Sequence, residues 1–468
     1  MLFACVSVHA QHVPPSLDLS GLRLGGDMVY PEATQQASRM GGSSSSSSSS
    51  KSGRTLLEDT PQGPPPIRPK IYIYELPERL RNASVGDVTD TFYGLEQLFP
   101  ELLLASHHVT KNGNEADFFY VNAWLSFPKT TVRDIVAALQ EAGPWWDAKQ
   151  GADHIFVHSG EKGRCDFTDT EQAIKSVLIH HFGLLQNTHR PICNLDEVWG
   201  AHCDDEMIVS EAAMFGRPVI QDACHLPGQD IVVPPSTYEF HPGKPHTWTA
   251  GTPYLNDSLK GLPRTDMLFY SGKIDLDADD PELSKNQPWH DARYSLGARQ
   301  SVYKMFKKAP GFLLLNHHSH DDYYSHLSTS VFCLATAGWG WGGRMKAAVT
   351  RGCIPVIVQD GILVEFEEQL PLKEYAIRVP LWMSHKLPPI LAVFNNTGHV
   401  ANMQKALECT WRLHWWRRPY GRAFEVVMCE LKRRVLKADR IKLDTDECTL
   451  DCGDGHRINL LKEGPMGV

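Results

Sequence analysis

The chain has no run of apolar residues long enough to cross a membrane. A span needs about 18 or more, and the longest candidate, 354–364, is broken by Gln359, Asp360 and Gly361. Excess positive charge is also missing: 46 Lys and Arg against 55 Asp and Glu leave a formal net charge of −9. That excludes a nucleic-acid coat and a polybasic membrane binder, which both need clustered cations. Zinc-ligand spacing is absent too. There is no C-x-x-C, and the close pair Cys448-x-x-x-Cys452 has no second ligand pair at zinc-site distance, so a disulfide or free thiols are expected there. No P-loop occurs either, which removes an ATP site of that kind.

What remains is an ordinary globular composition. Of 468 residues, 42% are hydrophobic and 22% charged, enough apolar material for two or three cores. Apart from Cys5, ten of the 11 cysteines lie between Cys165 and Cys452. An even count fits disulfides formed in an oxidising lumen. Sequons at Asn82, Asn256 and Asn395 lean the same way. Residues 1–10 are apolar but short for a signal core and have no preceding Lys or Arg. They read as a truncated signal or anchor, or as a plain chain end. The following 11–69 carry eight consecutive serines, Ser43 to Ser50, and a proline-rich stretch at 61–69. Such composition cannot bury enough apolar area to offset the entropy of ordering, so a disordered stem without catalytic groups is expected.

From Lys70 onward, short apolar runs recur at 71–74, 118–121, 155–157, 207–209, 231–233, 267–270, 312–315, 331–334 and 354–358. They are continuous, not alternating, which is the mark of parallel strands covered on both faces. Helical spacing lies between some of them. Ile174, Val177, Leu178, Phe182 and Leu185 share one face of a helix predicted over 170–186, and Val302, Met305 and Phe306 share one over 299–308. Alternation of strand and helix predicts a doubly wound α/β fold in two domains. The break is placed in the polar stretch 240–262.

The segment 330–361, SVFCLATAGWGWGGRMKAAVTRGCIPVIVQDG, is the richest in chemistry. A strand leads into a loop with Gly338, Gly340, Gly342 and Gly343; a helix is predicted from Arg344 to Arg351, and a second strand follows Gly352. Such a loop lets backbone N–H groups approach a diphosphate, and Arg344 adds a charged donor at the helix start. Equally, the glycines can serve only to shape a tight turn.

These residues carry a resemblance. The pattern FCL…G…R…A…GCIPVI…D over 332–360 resembles the C-terminal signature of the exostosin-type glycosyltransferases, the forty-seventh glycosyltransferase family. KIYIYELP (70–77), ADFFYVNAWL (116–125), GADHIFVHSGEKG (151–163), DIVVPP (230–235) and RTDMLFYSGKI (264–274) resemble further blocks of that family, in order. The resemblance covers roughly 70–400. It implies a GT-B fold, two Rossmann-like domains facing a cleft: an acceptor-side domain over 70–250, a nucleotide-sugar domain over 251–405, and a C-terminal helix and tail over 406–468. It implies an inverting transferase that takes a UDP-sugar donor and a polysaccharide or glycoprotein glycan acceptor, with no cofactor and no strictly required metal. Donor binding would fall to Arg264, Gly272, Gly342, Gly343, Arg344 and Asp360. The setting implied is the Golgi lumen, with a membrane tether at the N-terminus and association with other transferases. One departure stands out. Where many members have a carboxylate three residues after the helix arginine, a plausible ribose ligand, this chain has Ala347. Either Glu365, Glu367 or Glu368 substitutes, or the chain is an inactive sugar-binding subunit.

Other signals compete. Asp275-Leu276-Asp277 and Asp277-Ala278-Asp279 match D-x-D, a metal motif in transferases of the other common fold, yet they sit in an acidic loop that water alone explains. His317, His318, His320, Asp321 and Asp322 would need metal partners from elsewhere. Asp153 and His154 form a candidate catalytic pair, able to deprotonate an acceptor hydroxyl, or else a buried pair that orients loops. Cys333 and Cys353 start consecutive strands as core thiols or as a disulfide. Trp411, Trp415 and Trp416, among Arg412, Arg417 and Arg418, offer sugar stacking or core contacts, on a segment placed to cross back onto the first domain.

Overall fold

All but one of the continuous apolar runs become parallel strands; the run at 207–209 gives only Ile208–Val209, paired antiparallel with Arg190–Pro191 in a separate two-stranded sheet. In the first half, β1 (Ile71–Ile73), β2 (Val109–Thr110), β3 (Phe118–Tyr120), β4 (His154–Val157) and β5 (Val177–His180) are followed by the short β6 (Gly183–Leu184), and β7 (Ile231–Val232) completes the sheet. Its order is β2-β1-β3-β4-β5-β7, every pairing parallel. In the second half, β8 (Asp266–Ser271), β9 (Phe312–Leu315), β10 (Ser330–Ala335), β11 (Ile354–Ile357), the short β12 (Ile362–Leu363) and β13 (Ile377–Arg378) follow. There the order is β9-β8-β10-β11-β13, again all parallel. Both sheets therefore reverse direction beside their first strand, between β1 and β3 and between β8 and β10. In open α/β sheets, ligands bind at the carboxyl ends of the strands at such a switch point.

This computed structural model describes residues 68–81, 87–89, 91–125, 131–166, 173–185, 190–191, 208–209, 223–237, 252–274, 294–316, 320–338, 340–437, 446–453 and 455–460. The stem predicted over 11–69 lies outside them, apart from its last two residues. So do both D-x-D triplets, Asn82, and the side chains of His317 to Asp322. Among the described residues, no helix is long and apolar enough to cross a membrane.

Helices cover the sheets: α1 (Leu95–Leu104) and α2 (Val132–Ala142) in the first half, α3 (Ala298–Phe306), α4 (His320–Thr329) and α5 (Arg344–Val349) in the second. Helix α2 begins with a full capping box, the Thr131 hydroxyl accepting from the Asp134 N–H while the Asp134 carboxylate accepts from the Thr131 N–H. The chain ends with α6 (Leu387–Asn396), α7 (His399–Thr410) and α8 (Ala423–Leu436). One expectation fails here. The helix predicted over 170–186 is instead β5 and β6. Val177, Leu178 and Ile179 are an apolar run buried on both faces, and a short run of this kind fits a helical and a strand period equally well.

Helix α8 crosses back onto the first half. Arg434 donates to the carbonyls of Gln229 (2.5 Å) and Asp230 (3.4 Å), and the Phe424 ring lies 5.7 Å from that of Phe99. The tryptophans before it are core residues: Trp411, Trp415 and Trp416 are buried, and Trp416 Nε1 donates to the Pro234 carbonyl at 2.8 Å. The two halves also share a ladder, β6 pairing antiparallel with β12 through Leu184–Ile362 and Gly183–Leu363.

Four disulfides occur among the described residues: Cys165–Cys224, Cys333–Cys353, Cys409–Cys452 and Cys429–Cys448. Cys448 and Cys452 thus take separate partners and not each other. Cys333–Cys353 joins β10 to β11 and closes a loop of 20 residues that contains the whole glycine-rich segment and α5. By loop entropy, such a bridge stabilises by about 3 kcal/mol. Replacing both cysteines by serine should lower the folding free energy by about that amount, read as an earlier midpoint in urea denaturation with the other bridges intact. A wild-type midpoint would show that the bridge adds nothing.

Candidate active site

The carboxyl edge of the second sheet gathers two arginines on one aromatic ring. Arg344, at the start of α5, lies over the Tyr270 ring at 4.8 Å and donates to the Ser271 carbonyl at 3.3 Å. Arg299, in the first turn of α3, lies 5.7 Å from the same ring and donates to Thr336 Oγ1 (3.1 Å) and to the Lys273 carbonyl (2.8 Å). Tyr270 is the penultimate residue of β8 and Thr336 follows β10, so both guanidinium groups stand at the switch point. Gly272 makes the approach possible. Its φ is 154°, and a Cβ there would fall 1.9 Å from an Arg344 nitrogen. Guanidinium groups hold phosphate oxygens two at a time, so this pair suits a diphosphate.

The glycine-rich loop has a second purpose. Gly338, Gly340 and Gly343 stand at the spacing of a dinucleotide fingerprint, but the loop is fastened to the first half. Trp341 donates from its backbone to the Glu161 carbonyl and from Nε1 to the Gly160 carbonyl, both at 3.0 Å. A Cβ on Gly340 would come within 1.8 Å of that Glu161 oxygen. Gly342 lies so close to the Thr336 carbonyl that a Cβ would meet it at 2.7 Å. Gly343 caps α5, which has six residues and ends at Val349, short of the predicted Arg351. Charge at this site therefore comes from Arg299 and Arg344 more than from a helix dipole.

Beside these groups a narrow cleft opens between the halves, lined among others by His181, Thr336, Trp341, Gly342, Gln359 and Glu365. Of the three candidate carboxylates only Glu365 faces it. Glu367 is paired with Arg378 and accepts from the Val364 N–H, and Glu368 meets His225 at 3.2 Å. Ala347, where a carboxylate was expected, is buried in an apolar cluster with Phe269, Cys333 and Cys353. His181 closes the cleft from the first half. Its Nδ1 lies 2.8 Å from the Val233 carbonyl, its ring 4.6 Å from that of Trp341. Burial, only partly offset by that hydrogen bond, pushes its pKa down to about 3, so the imidazole is neutral.

Other predicted site residues sit elsewhere. Arg264 precedes β8 and lies at the opposite, amino edge, donating to the carbonyls of Leu327 (3.2 Å), Ser330 (2.5 Å) and Arg351 (2.9 Å). It fastens chain ends and has no access to the cleft. Asp153 and His154 likewise open β4 at its amino edge. His154 is fully buried, stacked 4.9 Å from Phe119, with Nε2 3.0 Å from the Tyr74 hydroxyl and Nδ1 3.0 Å from Asp153. Both nitrogens are committed, so this pair orients the strand start and is no base for an acceptor. Asp360 follows β11 next to Gln359, and both its oxygens accept from the Leu381 N–H, at 3.1 and 3.2 Å. It holds the turn under the cleft.

His180, His225 and Asp230 come within metal-binding distance of one another. The Asp230 carboxylate is already committed. Asp230 accepts from Arg164 Nε (2.7 Å) and Arg164 Nη2 (2.5 Å), and from the backbone of Leu178 (3.1 Å) and Leu226 (2.9 Å). His180 meets His225 at 3.1 Å. An ion would have to displace a buried arginine, so this cluster is a structural joint.

Residues 67–394 match the family model described as the Exostosin GT47 domain. A probable glucuronosyltransferase of Oryza sativa subsp. japonica is 28% identical over 344 residues, 70% of this chain and 71% of that protein. A probable beta-1,4-xylosyltransferase of Arabidopsis thaliana is 26% identical over 345 residues, with 70% and 71% covered. Among solved structures, a UDP-N-acetylglucosamine 2-epimerase aligns with 79% of this chain and 96% of its own at 11% identity and a TM-score of 0.25, too low to add to the fold argument.

At the carboxyl end of β4, His158 gives the first half a pH-dependent support. Burial opposes its charge, but Asp166 (2.8 Å) and Glu96 (3.6 Å) outweigh burial and raise its pKa from 6.5 to about 9. A raised folded-state pKa stabilises fully below pH 6.5, and that stability is lost as pH rises through about 9. The melting temperature should fall across this window in the wild type and stay flatter in His158→Gln. Equal slopes in the two proteins would contradict the charged state of His158.

Proposed function

The chain belongs to the exostosin GT47 family of glycosyltransferases, and from that premise we propose that it moves a glycosyl group, with inversion, from a UDP-sugar to a polysaccharide or glycoprotein glycan acceptor. The observation that carries the donor half is the convergence of Arg299 and Arg344 on Tyr270 beside Gly272. In such a transfer the acceptor hydroxyl attacks the anomeric carbon as the bond to the diphosphate breaks, and the hydroxyl's proton is released to solvent. Negative charge then grows on the departing phosphate, where preorganised donors stabilise it most. Two guanidinium groups can fill that role, and we propose transfer without a metal. The names of the relatives favour a glucuronosyl or xylosyl group.

Ala347 is no argument for a dead enzyme, since Glu365 brings a carboxylate to the cleft from another element. The four disulfides support the oxidising secretory pathway, and with it the Golgi lumen. Asn395 is exposed near the end of α6 and available for a glycan there.

Two measurements test this reading. Arg344→Ala should weaken UDP binding by about 1.5–3 kcal/mol, the range for a hydrogen bond to a charged group, and turnover should fall further because charge is greater in the transition state. Wild-type UDP affinity in the folded variant would remove Arg344 from the donor site. A panel of radiolabelled UDP-glucuronic acid, UDP-xylose and related donors, with and without EDTA, should show metal-independent transfer. UDP binding without any turnover would favour a sugar-binding subunit, and abolition by EDTA a metal-dependent enzyme.

A further inference from the structure

Two residues that line the same cleft carry buried acceptors. His181 is 6% exposed and its Nδ1 is committed to the Val233 carbonyl, which makes Nδ1 the protonated nitrogen and leaves Nε2 as an acceptor. Among the described residues Nε2 meets no hydrogen-bond partner. Glu365, also 6% exposed, has one oxygen, Oε1, without a hydrogen bond, and His414 Nδ1 lies 3.4 Å from it. A buried acceptor without a donor costs about 1–3 kcal/mol, so such groups in a native fold call for an explanation. The ligand that satisfies both must bring O–H or N–H donors. Resting on the donor-site reading above, we infer that His181 Nε2 accepts a hydrogen bond from a hydroxyl of the bound sugar nucleotide, with Glu365 taking a second hydroxyl of the same diol.

The electrostatics agree. A charged imidazole could only donate; burial keeps this one neutral, with Lys346 and His158 among the cations disfavouring its protonation. The stack against Trp341 fixes the ring plane. The hydroxyls can belong to the ribose or to the transferred sugar, and both lie within one nucleotide sugar's length of the diphosphate.

The test is calorimetry on the full chain with UDP, 2′,3′-dideoxy-UDP, UDP-xylose and UDP-glucuronic acid, using wild type, His181→Phe and His181→Gln. Phenylalanine keeps an aromatic ring beside Trp341 and loses the acceptor; glutamine keeps an acceptor. His181→Phe should bind the hydroxylated ligand roughly three- to tenfold more weakly, the ratio set by one neutral hydrogen bond, and His181→Gln should recover part of the loss. If the ribose is the partner, wild type and His181→Phe bind 2′,3′-dideoxy-UDP equally. If the sugar is the partner, the two bind UDP equally and differ only on the UDP-sugars. A uniform loss across all four ligands, or no loss, overturns the inference and leaves water as the only occupant. Should His181→Phe not fold, the same comparison is made with His181→Leu, which also lacks the acceptor: a loss confined to the hydroxylated ligands supports the inference, and a uniform loss or none overturns it. Absence of nucleotide binding in the wild type itself would instead overturn the donor-site reading, and this inference with it.

Discussion

The structure depends on how the carboxyl edges of two parallel sheets are locked face to face. The antiparallel ladder of Leu184 and Gly183 with Ile362 and Leu363 sets the register between the halves. Around it the Phe366 N–H reaches the Val232 carbonyl at 2.8 Å, Lys346 Nζ the Pro235 carbonyl at 2.5 Å, and Trp416 Nε1 the Pro234 carbonyl at 2.8 Å. Most of these bonds end on the segment after β7, so one stretch of the first half receives the second half and the C-terminal helix together. Buried backbone acceptors paired in this way resist separation, because opening would leave them unsatisfied.

That lock brings the site residues together. His181 and the Gly160–Glu161 turn follow strands of the first sheet; Thr336, Gly342, Arg344 and Glu365 follow strands of the second. Neither set forms a cleft alone. The Cys333–Cys353 bridge holds the two strands between which the glycine-rich loop rises, so the loop leaves from a fixed base. Arg164 and Asp230 perform a similar task in the first half, tying the turn after β4 to β5 and β7 through one buried ion pair. Such a pair is weak evidence for stability but fixes geometry, since losing one partner would strand the other charge.

Much of this was legible in the sequence. Continuous apolar runs marked the strands of both parallel sheets, because strands covered on both faces need no alternation, while the run at 207–209 pairs antiparallel outside them. The strand–loop–helix–strand unit around Arg344 was readable from Gly338 to Gly352. Two kinds of information were not. One is the edge of the sheet: Arg264 and Gly272 lie in one block of sequence, yet about 3.3 Å per residue of strand puts them roughly 25 Å apart. Asp153 and His154 are separated from His158 and Glu161 by β4 in the same way. The other is partnership across the lock. Arg299 hides in an amphipathic helix, and His181 in a segment whose period imitates one; nothing local shows that Thr336 and Trp341 meet them. Cysteine parity predicted disulfides, but the pairings needed the fold.

On this geometry the donor occupies the carboxyl edge of the second sheet. Hydrogen–deuterium exchange of the full chain, with and without saturating UDP, tests it most directly. Slowed exchange is expected only in peptides containing 271–274, 336–345 and 359–366, with the amino-edge residues Arg264 and His154 unaffected. Protection at the amino edges, or UDP binding that leaves those three segments unchanged, would contradict it.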